Sequence, residues 1–235
     1  MRPKQRLVAP DGYEVMLFPL EYMNASQKEG GGYSHAGTLQ MDFLGWGPSG
    51  RVYQCPYYAP CSCHCVATTD SSAHNRVWQS TNKVHLADGT LGYVTFEFAH
   101  DDFPPYNVGS TITQGTIIGR TGTAGFVTGD HVHFQCARGK YAGWEQVPPN
   151  NNWQLRNEMH IYDACYVNAT TIINGYNYNW VEWDGPVPPP PPEDIRKKKK
   201  FPWILYSGKF RRYRANVWQF ALFIVYLRQG GDVDG

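Results

Sequence analysis

Residues 128–139, TGDHVHFQCARG, set two histidines one residue apart directly after a run crowded with Gly and Thr. In an extended strand residues i and i+2 share a face. His131, His133 and Gln135 therefore look one way, and Val132, Phe134 and Cys136 look the other. The apolar set belongs to a core, so both imidazoles stand over the opposite face, where a core-filling role explains them poorly. Such a pair suits a metal site in which one ring ligates and its neighbour works beside the ion. A catalytic zinc needs three protein ligands and a position left open for water. Upstream partners exist: GYSHAGTLQMDF supplies His35 and Asp42, and FEFAHDD supplies His100. A lone histidine is more often a satisfied structural residue than a ligand, but the conjunction is harder to dismiss.

The elements that would hold these side chains are short and β-rich. Of 235 residues, 42% are apolar, 15% aromatic and only 17% charged, which permits a sizeable core and excludes a disordered chain. The 24 Gly and 17 Pro imply many turns. GYVTFEFAH alternates, with Val94, Phe96 and Phe98 on one face and Tyr93, Thr95 and Glu97 on the other. By that parity His100 falls at the strand's end on the Phe98 face, half-buried beside the core. STITQGTIIGRTG offers two short β-branched runs, and ACYVNATTIINGY reads as a closing hairpin around Asn168. No long amphipathic helix and no internal repeat is legible. The fold class is therefore all-β, a compact antiparallel domain.

The segment GSTITQGTIIGRTGTAGFVTGDHVHF resembles the signature of the LytM/lysostaphin-type zinc peptidases, the M23 family. The resemblance rests on Gly109, Ile112, Gly115, Ile118, Gly119, Gly122, Gly125, Gly129, His131 and His133, and on the order His, Asp, His, His-x-His. It covers about residues 30–140. It implies a zinc-centred groove in which His35, Asp42 and His133 hold Zn2+ and His100 and His131 are the catalytic histidines. The reaction implied is zinc-assisted amide hydrolysis, with His131 moving the proton and His100 donating a hydrogen bond to the tetrahedral oxyanion. The division of those two roles is not fixed by sequence. Most members space the first pair as His-x-x-x-Asp, whereas six residues separate His35 from Asp42. That longer loop is similar to the peptidase domains of bacteriophage tail-tip morphogenesis proteins. The substrate so implied is the stem or cross-bridge peptide of bacterial peptidoglycan. The rival is a non-catalytic tail component derived from such a peptidase, which binds wall without cutting it; a host wall-remodelling enzyme is a further alternative.

Other features carry plainer readings. CPYYAPCSCHC holds Cys55, Cys61, Cys63 and Cys65 around His64, and a structural or disulfide role is favoured over metal because the usual C-x2–4-C pairs are absent. Cys136 and Cys165 read as core fillers, His74 and His85 as solvated loop residues, and His160 as backing the core. The globule is expected over 1–184, a proline-rich linker over 185–195 around GPVPPPPPED, and a basic aromatic tail over 196–235. Residues 1–192 carry net charge −5 and 193–235 carry +6. Five consecutive prolines, Pro188–Pro192, run as a semi-rigid polyproline spacer. The tail could meet a membrane surface, an anionic wall polymer or nucleic acid; attachment to other virion tail proteins or to the wall is favoured, and no nucleic-acid partner is expected. No Sec-type signal is legible, since Asp, Glu and Pro break DGYEVMLFPLEY. The longest apolar run, FALFIVYL, is far short of the ~20 residues a bilayer needs. Action at a wall is thus expected from a virion tail or after release from the host cytoplasm at lysis.

Overall fold

A computed structural model describes residues 3–186 apart from 33 and 69–71; the tail and nearly all of the linker lie outside the described residues. The described residues form short strands joined by turns, with one helical turn, Ile161–Ala164, and a 3-10 turn, Ala169–Thr171. No helix among the described residues is long and apolar enough to cross a membrane.

The main sheet contains nine strands: β1 (Met23–Gln27), β2 (Met41–Phe43), β3 (Cys63–Ala67), β4 (Arg76–Ser80), β5 (Val94–Ala99), β6 (Thr111–Ile112), β7 (Val132–Arg138), β8 (Glu158–Met159) and β9 (Ile172–Asn174). Their order is β6-β3-β4-β5-β7-β2-β1-β9, with β8 joined to the C-terminal half of β7. Every pairing is antiparallel except β9 on β1. The strand β7 lies at the centre: it pairs along six residues with β5 and, on its other edge, first with β2 and then with β8.

The alternation of β7 holds. Val132, Phe134 and Cys136 are fully buried in the main core with Phe43, Phe96 and Phe98. Phe134 stacks on Phe98 at 4.8 Å between centroids and 18° between planes. Such packing gives the central strands few ways to shift. The expected alternation of β5 hides a second burial, because Thr95 and Glu97 are as inaccessible as the phenylalanines. Their face is covered by the hairpin Trp144–Val147/Asn152–Leu155, whose Leu155 N–H donates to Gln135 Oε1 at 2.8 Å.

Two expectations are corrected, and for the cysteine cluster the structural alternative is the one that holds. The segment around Asn168 is no hairpin: after the helical turn, β9 runs parallel to β1, and Asn168 caps the 3-10 turn through its side chain. All six cysteines are buried free thiols, so Cys55, Cys61, Cys63 and Cys65 fill the core without a disulfide. His74 and His85 are not simply solvated; His74 Nδ1 donates to the Asp101 carbonyl at 2.8 Å, and His85 Nε2 lies 2.8 Å from Asp11. His160 bonds Glu29 and stacks on Tyr162.

Candidate metal centre and groove

Strand pairing brings the first two histidine-site residues together. Asp42 on β2 stands directly across from His133 on β7, and Asp42 Oδ1 lies 3.0 Å from His133 Nδ1. His35 comes from the loop between β1 and β2. Six intervening residues suffice because the loop folds back: Thr38 donates its N–H and hydroxyl to the His35 carbonyl, and the Gly30 N–H reaches the Thr38 carbonyl. Neighbours pin it from outside, with Leu39 N–H on Glu158 Oε2 at 2.8 Å and Asn152 Nδ2 on the Ala36 carbonyl at 3.0 Å. A Cβ at Gly37 (φ +82°) would stand 1.9 Å from the Pro148 carbonyl oxygen, so only glycine fits that approach. The result is a fully buried His35 whose Nε2 is 3.3 Å from Asp42 Oδ1.

The donor atoms of His35, Asp42 and His133 all lie within 4.8 Å of one another, a set that could hold a metal ion. Burial alone would push the Asp42 carboxyl up, but hydrogen bonds and charge from His133 and His35 outweigh it and hold the group far below the usual carboxylate range. Burial pushes His133 down, and the Asp42 hydrogen bond and charge more than reverse it.

His131 and His100 sit beside this set. His131 Nε2 is 3.7 Å from Asp42 Oδ2, and its ring centroid is 4.7 Å from that of His100. The ring of His100 is in turn 5.9 Å from His133. Strand parity pointed His100 toward the core, and the structure differs. The strand ends at Ala99, opposite His133, and His100 adopts φ +77°, which swings its ring onto the histidine face. A non-glycine residue holds that conformation only when its surroundings impose it. Here His100 N–H bonds the Ala73 carbonyl, Ala124 N–H bonds the His100 carbonyl, and Asp102 accepts from Thr123. Gly122 permits the approach, since a Cβ there would meet the His100 carbonyl oxygen at 2.3 Å.

Carbonyl oxygens orient the rings. His100 Nδ1 lies 2.8 Å from the Ala124 oxygen, His131 Nδ1 2.7 Å from that of Gly129, and His35 Nδ1 3.4 Å from that of Lys28. A carbonyl only accepts, so each of these Nδ1 atoms carries hydrogen and each ring turns its Nε2 to the site. Burial, with the nearby His133 and His131, lowers His100 to about 4 and keeps it neutral at pH 7.

Sequence reasoning missed Asp130, which fixes the start of β7. It accepts from the Thr121 hydroxyl at 2.7 Å, from Gln54 N–H at 3.0 Å and from the Arg51 guanidinium. An Asp preceding the first histidine was the available signal. The loop from Gly122 to His131 is closed at its base by two N–H···O bonds of 3.0 Å between those residues. Its tip carries the fully exposed Phe126. Together with Trp144 and the half-exposed Trp153 of the facing hairpin, Phe126 borders a groove of about 920 Å³ whose floor is the five site residues, Gln135 and Glu97.

No family model matches the chain. By sequence it is 41% identical over 170 residues to Morphogenesis protein 1 of Bacillus phage B103, a match over 72% of this chain and 44% of the relative. The chain thus spans less than half the length of that curated relative. Its structural neighbours are M23 peptidases. The catalytic domain of the prophage-encoded M23 protein EnpA from Enterococcus faecalis aligns at a TM-score of 0.39 and 14% identity, over 62% of this chain and 93% of that one. The lysostaphin catalytic domain from Staphylococcus simulans aligns at 0.32 and 19%, over 59% and 85%. A zinc-containing peptidase from Vibrio cholerae aligns at 0.40 and 14%, over 64% and 42%.

Proposed function

We propose that this chain is a zinc endopeptidase of the M23 type that hydrolyses peptide bonds of bacterial peptidoglycan, acting from a phage tail or after lysis. The observation that carries this reading is the meeting of His35, Asp42 and His133 donors within 4.8 Å, with His131 and His100 alongside. Two imidazoles and a carboxylate are a donor set suited to zinc. Donors held ~2.1 Å from one tetrahedral ion stand ~3.4 Å apart, and the 3.0 and 3.3 Å separations here are of that size. Zinc bound there would act as a Lewis acid and make a hydroxide-like nucleophile available near neutral pH.

The chain's own residues supply the rest. His131 Nε2, an acceptor in the neutral ring, takes the proton of the attacking water and delivers it to the leaving amine. His100 also presents an acceptor Nε2, so it serves the tetrahedral oxyanion only after gaining a proton there; the negative charge developing on that oxygen favours the gain. Phe126 and Trp153 border the groove and seat the peptide beside these rings.

The test is digestion of purified cell walls of several chemotypes by the zinc-loaded chain, with released muropeptides identified by mass spectrometry. Activity that vanishes with chelator and with His133→Ala supports the reading. Walls left intact by a zinc-loaded preparation, with His133→Ala behaving identically, overturn it. The name of the phage relative favours one second reading, a structural part of the particle that keeps the fold without cutting; that reading expects wall binding by both forms.

A further inference from the structure

One short segment outside the five site residues holds both ends of the loop that carries His35. Glu158 and His160 flank Met159 at the end of β8, and Met159 is buried in the core. Glu158 Oε2 accepts the Leu39 N–H at 2.8 Å, four residues after His35. His160 Nδ1 donates to Glu29 Oε2 at 2.8 Å, six residues before it. The strand β8 is itself paired with β7, which carries His133, so the loop of one ligand is referred to the strand of another. His160 is fixed in turn by stacking on Tyr162, at 4.6 Å between centroids and 16° between planes.

The link from Glu29 to the site is one peptide long. The Lys28 carbonyl, 3.4 Å from His35 Nδ1, shares a planar peptide unit with the Glu29 nitrogen. Any rotation of that unit turns the carbonyl, which also accepts the Gly31 N–H at 3.0 Å. The Glu29 side chain is only 8% exposed. Burial raises its carboxyl above the ordinary value, and the His160 hydrogen bond and charge pull against that rise. Taking this donor from a buried acid leaves a desolvation cost that the acid relieves by moving toward water. The Lys28–Glu29 peptide would move with it.

We propose that His160 is a positioning residue for the metal ligand His35, acting through Glu29 and the Lys28 carbonyl, a proposal that rests on the metal reading above. Groups that orient a ligand from behind change metal affinity by about ten- to a hundredfold when removed. His160 acts one step further out, so its effect belongs at the lower end of that range.

The test compares His160→Leu with His160→Asn in the full-length chain. The two replacements are close in size and both lack the stacked ring, but only Asn puts an N–H donor where Nδ1 stood. His160→Phe takes the place of His160→Leu if that variant does not fold. Zinc affinity, read by competition with a chelating dye, should fall about tenfold in His160→Leu and largely return in His160→Asn. In the metal-free chain, hydrogen exchange at the Gly31 and Thr38 amides should quicken in His160→Leu alone, with the amides of β5 and β7 unchanged. Wild-type zinc affinity in His160→Leu, or equal losses in the two variants, overturns the positioning role. A wild type that takes up no zinc sinks the metal reading instead; exchange at Gly31 and Thr38 that does not respond to His160→Leu would then overturn the clamp on its own.

Discussion

The two faces of β5 and β7 are made by the same backbone and behave as opposites. One face is Val132, Phe134 and Cys136 against Phe96 and Phe98, all buried and apolar. The other is His131, His133 and Gln135 against Glu97 and Ala99, a polar network roofed by a hairpin and two loops. The apolar face holds the strands in register by burial and stacking. The polar face accepts buried charge, strained φ and desolvated rings, which no chain would tolerate without that support. The geometry of the histidine face depends on stability supplied about one strand thickness away.

The comparison can be broken by single changes, beginning with the largest effect. His133→Ala should reduce wall hydrolysis to background, at least about a thousandfold, while chemical denaturation shows the apolar face intact; a variant that loses activity only by unfolding would erase the distinction. Next comes pH. Glu158 on β8 is pushed up to about 8 by burial, against an ordinary value of 4.5. Between those values the unfolded chain has shed a proton that the folded chain keeps. Stability of the metal-free chain should therefore fall as pH rises from about 4.5 to about 8, by up to about 5 kcal/mol, and then level off. Urea titrations across that range would read the slope, and Glu158→Gln should flatten it.

Phe134→Ala, on the apolar face, should cost about 4 kcal/mol of stability, and zinc affinity should weaken because β7 is no longer held in place; unchanged affinity would uncouple the two faces. Smallest is Asp130→Asn, which weakens the bonds from Thr121, Gln54 and Arg51. A loss of about 2 kcal/mol, with hydrolysis falling more than zinc binding, would mark Asp130 as a positioner of His131 rather than of the ion.

Much of this arrangement was legible in the sequence, and for a local reason. Alternation in DHVHFQCA is a property of neighbouring residues, so the two faces of β7 could be read directly, as could the two short strands of STITQGTIIGRTG. Long-range contacts were not legible. Glu97 looked like the polar side of a half-exposed strand because the hairpin that covers it begins 47 residues later. His100 escaped parity because its positive φ is imposed by Ala73, Gly122 and Ala124, none of them adjacent in sequence. The carbonyls that orient His35, His100 and His131 belong to the backbone and leave no mark on residue identity. The parallel return of β9 to β1 displaced the expected hairpin because Asn168 caps a 3-10 turn instead of closing a β-turn.

The mutual bonds between Gly122 and His131 make the intervening segment a lasso whose knot is independent of its tip. Residues near Phe126 can lengthen, shorten or change character while the imidazole at the knot stays where it is. If the chain cuts a wall polymer as proposed, exchanging that tip alone would retune it toward another polymer and leave the imidazoles in place.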